Sequence, residues 1–104
     1  MISVGDQIRQ LRMERKLPLR KVAAELDIDQ SILSKIERGE RRASRAMIVS
    51  IAKIFNVDEN DLLVNYLSDL VIYDLKNEDL ACEALKVAEK KIIYRIKKLN
   101  EKST

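Results

Sequence analysis

At 104 residues the chain has room for one domain with an extension, and at 46% hydrophobic it can bury a core despite being 36% charged. It has no His and one Cys, which excludes zinc clusters, His-based catalysis and an internal disulfide, and fits a reducing cytosol. The net charge of +3 is unevenly spread: residues 1–56 carry 12 Lys/Arg against 7 Asp/Glu, residues 57–76 carry 1 against 5, and residues 77–104 carry 7 against 5.

Two Gly, one Pro and no sustained alternation of β-branched residues predict an all-α chain. Helical spacing begins over residues 4–16, with Val4, Ile8 and Leu11 on the buried stripe and Arg12 beside it. Pro18 sits just before a second helix at 19–26, whose apolar residues Leu19, Val22, Ala23 and Leu26 share one side. Asp27-Ile28-Asp29 breaks the pattern. A third run at 30–38 repeats it with Ile32, Leu33 and Ile36, while Gln30, Ser31, Ser34 and Lys35 fall on other faces. The carboxylate of Asp29 is expected to cap this run and Gly39 to stop it. Two amphipathic helices thus meet at a tight turn, and the second has a polar outer face.

Ser44 is expected to cap a fourth helix that buries Met47, Ile48, Ile51, Ala52 and Phe55, and Asn56 to close it in the left-handed conformation. Asp58 and Asp61 have the spacing of a capping box, which opens a fifth helix. Beyond Leu63 lies an arm, residues 64–104. Tyr66, Leu67, Leu70, Val71 and Tyr73 form one apolar stripe there. Asn77 is expected to cap a last helix, followed by Glu78 and Asp79 where the helix dipole favours acids. That helix carries Ala81, Leu85, Ala88, Ile92, Ile96 and Leu99 at nearly heptad spacing, and ends on Lys97, Lys98 and Lys102. Cys82 reads as ordinary packing and the three Tyr as core or interface.

The stretch LRKVAAELDIDQSILSKIER at 19–38, followed in register by IERGE at 36–40, Ser44 and IAKIFNVDENDLL at 51–63, resembles the helix-turn-helix of the lambda-repressor-like, Cro/C1-type (XRE) DNA-binding family. The resemblance implies a five-helix DNA-binding domain over residues 1–63, followed here by a C-terminal helical extension. It implies that Ala23 is the small residue at the closest approach of helices 2 and 3, with Val22, Leu26, Ile28, Leu33 and Ile36 in the core. Asp27 stands where the family usually has Gly in a positive-φ turn, a conformation that Asp tolerates at modest cost.

The base-facing positions fall on Gln30, Ser31, Ser34 and Lys35; Gln suits adenine and Lys suits guanine. Arg38, Arg41, Arg42 and Arg45 fall where family members clamp phosphates, on the segment with the basic excess. Arg12 and Glu37 match a partly buried ion pair. Two departures stand out. Pro18 and Leu19 replace a polar cap and a phosphate-touching Gln, and Asp29 puts an anion near the expected DNA path.

The expected function is a sequence-specific, double-stranded DNA-binding transcriptional regulator of repressor or restriction–modification controller type. It needs no cofactor or metal and dimerises through Leu85, Ala88, Ile92, Ile96 and Leu99. The runner-up is an antitoxin-like module whose C-terminal helices hold a protein partner while DNA binding is autoregulatory. An enzyme is disfavoured, since no nucleophile–base pair, metal cluster or Gly-rich phosphate loop is present. No stretch approaches the ~18 apolar residues of a membrane span, and the start MISVGDQIRQ does not read as a signal peptide, so a cytoplasmic location is expected.

Overall fold

The computed structural model describes residues 2–102, and these form six α-helices and no strand. They are α1 (Val4–Glu14), α2 (Leu19–Glu25), α3 (Gln30–Glu37), α4 (Arg45–Phe55), α5 (Glu59–Leu75) and α6 (Ala81–Lys102). One compact unit ends at Val71 and a second begins at Ile72.

The core of the first unit is built from the apolar sides of α1 to α5. Ile8, Val22, Leu33, Ile48, Ile51, Phe55 and Leu62 are fully buried within it. Leu11 and Met47 pack on its edge, half-buried. The core runs past Leu63, the edge suggested by the sequence: Tyr66 is buried and Leu70 packs against the same cluster. The stripe expected of the arm is therefore divided, because its Leu67, Val71 and Tyr73 stay exposed.

Four helices of this unit end alike, each on a residue with positive φ: Lys16 (53°), Asp27 (56°), Gly39 (76°) and Asn56 (53°). After α2, the Asp27 N–H donates to the Ala24 carbonyl at 3.1 Å and the Ile28 N–H to Ala23 at 3.0 Å. After α3, Gly39 donates to Ile36 at 3.1 Å and Glu40 to Lys35 at 2.8 Å. Lys16 with Leu17, and Asn56 with Val57, repeat this doubly bonded ending. It satisfies carbonyls that a helix end leaves unpaired and turns the chain sharply. The next residue is apolar in three cases, Leu17, Ile28 and Val57, and packs on the core. Asp27, Gly39 and Asn56 meet the sequence expectation. Lys16 does not, since helix 1 was expected to include it; the Leu17-Pro18 bond disfavours helix at Leu17 and ends α1 sooner.

The caps match expectation unevenly. The Ser44 hydroxyl accepts from the Met47 N–H at 3.1 Å, as expected. Asp29 occupies the cap position of α3, but its carboxylate makes no cap bond; its backbone carbonyl closes the turn from Ile32 and Leu33 instead. The Asp58 carboxylate is taken by the Asn60 N–H at 2.9 Å rather than by a reciprocal box with Asp61. A true capping box stands at α1, where Ser3 and Asp6 each accept the other's N–H. The S-x-x-D spacing at 3–6 was its signal.

In the second unit α6 begins at Ala81, and Asn77 lies in the turn before it rather than capping it. The Glu78 N–H donates to Leu75 and the Ala81 N–H to Glu78, so the chain turns once more before the helix starts. No residue of α6 is buried. Cys82, expected to pack, is exposed, as are Tyr73 and Tyr94. Among the described residues no helix is long and apolar enough to cross a membrane.

Candidate nucleic-acid interface

The hairpin of α2 and α3 rests on small and branched side chains. Ala23, 2% exposed, lies at the buried junction beside Val22, Leu33 and Ile36. At about 100° per residue, Gln30, Ser31, Ser34 and Lys35 occupy one arc of roughly 140° on α3, with Ile36 opposite and Glu37 at the edge of the arc beside Gln30. Gln30, Ser31 and Lys35 are exposed and Ser34 is half-buried. The four expected base-reading residues are therefore brought together on one polar face whose back is set in the core.

Glu37 fixes the edge of that face. It is a charged residue buried at the flank of α3, with its side chain 5% exposed. Arg12 reaches it from α1 with a two-pronged bond: Nε to Oε2 at 2.8 Å and Nη2 to Oε1 at 2.9 Å. The third nitrogen, Nη1, donates to the Leu17 carbonyl at 3.0 Å. The hydrogen bond to Glu37, helped by its charge, outweighs burial and raises the Arg12 pKa above the ordinary arginine value. The guanidinium thus stays charged at any working pH.

The basic residues line the chain after α3. Arg41 and Arg42 are exposed in the α3–α4 loop, and Arg45 is exposed as the first residue of α4. Arg38 is exposed too, but it pairs with Glu40 at 3.1 Å and so would have to exchange that partner for a phosphate. Ala43, 6% exposed, tethers the loop to the core between Arg42 and Ser44. Its signal in the sequence is that it is the lone apolar residue of the ERRASR run. No acid lies in the first turn of α3 or α4, whereas α1 has Asp6 and α5 has Glu59 and Asp61. The positive end of α4, capped by the neutral Ser44, thus carries no acid of its own beside three arginines.

Two other fastenings went unread in the sequence. Arg15 donates to the Phe55 carbonyl at 2.9 Å and lies 5.4 Å over the Phe55 ring, which joins the C-terminal ends of α1 and α4. Gly5 is buried, and a Cβ there would lie 2.4 Å from the Ile36 carbonyl oxygen and 2.8 Å from that of Glu37. Only glycine lets α1 approach the last turn of α3 so closely.

Residues 8–62 match the family model described as helix-turn-helix. Over 60 residues the chain is 37% identical to control protein C.BamHI of Bacillus amyloliquefaciens, covering 57% of this chain and 74% of that protein. Two crystal structures of the clp gene regulator ClgR from Corynebacterium glutamicum have similar folds. One matches with a TM-score of 0.55 at 23% identity, over 64% of this chain and 86% of its own. The other matches with a TM-score of 0.56 at 19% identity, over 89% of this chain and 85% of its own.

Proposed function

We propose that this chain, which belongs to the Cro/C1-type helix-turn-helix family of DNA-binding transcriptional regulators, reads a specific double-stranded operator through α3 and does so as a homodimer. The observation that carries the reading is the two-sided build of α3. Gln30, Ser31, Ser34 and Lys35 face outward, while Leu33 and Ile36 hold the helix from behind and the Arg12–Glu37 pair holds its flank. A helix held in this way enters a major groove without reorganising. Gln30 presents the paired donor and acceptor that suit adenine, and Lys35 a donor for guanine O6 or N7. Arg41, Arg42 and Arg45, with Arg38 once it leaves Glu40, supply the sequence-independent phosphate attraction.

The exposed apolar stripe of α6 supports the homodimer. It is 22 residues long and buries none of them, though Leu85, Ile92, Ile96 and Leu99 are apolar and 43–58% exposed, with Ala88 between them. Such a stripe is stable in water only when covered. A second copy of the same helix matches its length, and one helix-turn-helix covers half of a two-fold operator. Two copies would place their α3 helices about one DNA turn, ~34 Å, apart. Similarity to a protein named as a control protein favours a restriction–modification controller among the possible regulators, acting in the cytoplasm where the DNA lies.

Selection of binding sites from random duplexes, followed by titration of Gln30→Ala and Lys35→Ala on the selected site, tests the reading. Each substitution should cost ~1–3 kcal/mol there and relax preference at particular base pairs. Wild-type binding by both would refute the assigned face. Light scattering behind size exclusion tests the dimer. A 104-residue chain that stays monomeric at micromolar concentration refutes it, and aggregation of the lone chain would point to a different protein as partner of α6.

A further inference from the structure

α1 has polar fastenings on two sides. Its first N–H, that of Val4, is one of the donors a helix start leaves unpaired. It donates to Asp69 Oδ2 on α5 at 2.8 Å, across a sequence separation of 65 residues. About one turn away, Asn65 Nδ2 of α5 donates to Gln7 Oε1 of α1 at 2.8 Å. On another side α1 meets the end of α3, through the close approach at Gly5 and the Arg12–Glu37 bond. α1 therefore lies between the helix bearing Asp69 and the helix bearing the reading face. Apolar packing holds helices together without direction, whereas a carboxylate bonded to an N–H fixes distance and orientation.

We propose that Asp69 is a positioning residue for DNA reading. Its carboxylate, acting through Val4 and α1, sets the angle at which α3 presents Gln30 and Lys35 to the groove. This rests on the assignment of α3 as the reader. Phosphate attraction comes from the arginines after α3, which Asp69 does not hold. Its loss therefore lowers discrimination between duplexes and leaves general affinity for DNA in place.

The test uses the full chain. Asp69→Ala and Asp69→Leu remove the acceptor, and Asp69→Asn keeps one. Each is titrated with the selected operator and with an unrelated duplex at one salt concentration, beside Gln30→Ala and Lys35→Ala. The expected result is a fall of about tenfold in the operator-to-unrelated affinity ratio for Ala and Leu, similar to the effect of removing one good base-reading side chain. The unrelated-duplex affinity and salt slope should stay at wild type, Asn should recover most of the ratio, and the amide resonances of residues 30–37 should move in the Ala and Leu variants. A folded Ala or Leu variant with the wild-type ratio overturns the proposal. So does an equal fall on both duplexes, or unfolding of both variants while Asn keeps the ratio, since these mark a role in folding alone. If Gln30→Ala and Lys35→Ala also leave the ratio unchanged, it is the assignment of α3 that has failed.

Discussion

Replacing Arg12 by Ala should destabilise the first unit more than replacing Glu37 by Ala, and replacing both by Met should cost much less than either. The order follows from what each change leaves behind. Without Arg12, the Glu37 carboxylate, its side chain 5% exposed, loses both of its bonds to the guanidinium. Without Glu37, Arg12 keeps its bond to the Leu17 carbonyl, and its side chain is 16% exposed, so water can reach part of it. Breaking a buried pair typically costs ~3–5 kcal/mol. Arg12→Ala belongs near ~5 kcal/mol and Glu37→Ala near ~3 kcal/mol on that scale. A unit of this size is stable by only ~4–10 kcal/mol, so Arg12→Ala should remove half or more of that stability. The double Met variant strands no charge and should lose ~1–2 kcal/mol at most. Urea melts followed by circular dichroism, with matched slopes, give the three differences, and their cycle gives the coupling. A coupling below ~0.5 kcal/mol, or a larger loss for Glu37→Ala than for Arg12→Ala, would refute the account of the pair.

Arg42→Ala and Arg45→Ala should weaken operator and unrelated duplexes alike and flatten the salt dependence by ~1 for each phosphate no longer neutralised; an effect confined to the operator would argue for base contact instead. Ile92→Asp with Ile96→Asp in the full chain should give a folded monomer by light scattering, with much weaker operator binding because linked half-sites gain from effective concentration; a dimer that survives places the interface elsewhere. Gly5→Ala should force α1 away from the carbonyls of Ile36 and Glu37 and cost on the order of 1–3 kcal/mol, as overpacking does; an unchanged melting curve would mean that the two helices separate freely.

The parts legible in the sequence are those written in local periodicity. The α2–α3 hairpin could be read because Leu19, Val22, Ala23, Leu33 and Ile36 recur at helical spacing on either side of Asp27, and the polar face could be read as what they leave over. The endings at Asp27, Gly39 and Asn56 could be read because few residue types take a positive φ. What escaped depends on contacts between distant segments. Nothing near Asp69 in the chain says that it serves Val4, and nothing near Gly5 says that α3 ends against it. Asp29 holds the cap position of α3 without a cap bond from its carboxylate, and Asn77 lies ahead of α6, for another reason. Both are residue types that favour caps, but a preference is satisfied only if the chain leaves the amides within reach. Cys82 reads as ordinary packing because nothing near it in the chain marks a reactive thiol, yet α6 buries no residue and leaves it exposed.

One difference among the four left-handed helix ends bears on the thermodynamics of binding. After α1, α2 and α4 the turn is followed by Leu17, Ile28 or Val57, each anchored in the core, whereas after α3 it is followed by Glu40, which is exposed. The chain from Gly39 to Arg42 therefore has no apolar anchor before the buried Ala43, and the Glu40 and Arg41 N–H groups bond back to the Lys35 carbonyl instead. Its amides should exchange with solvent faster than those of the other three turns. Any further ordering of that loop by a phosphate costs backbone entropy, at most ~1–2 kcal/mol per residue, which offsets part of the attraction of the loop for DNA. In exchange, the loop can follow backbones of differing groove width while α3 stays fixed, which separates tolerance of duplex shape from the reading of bases.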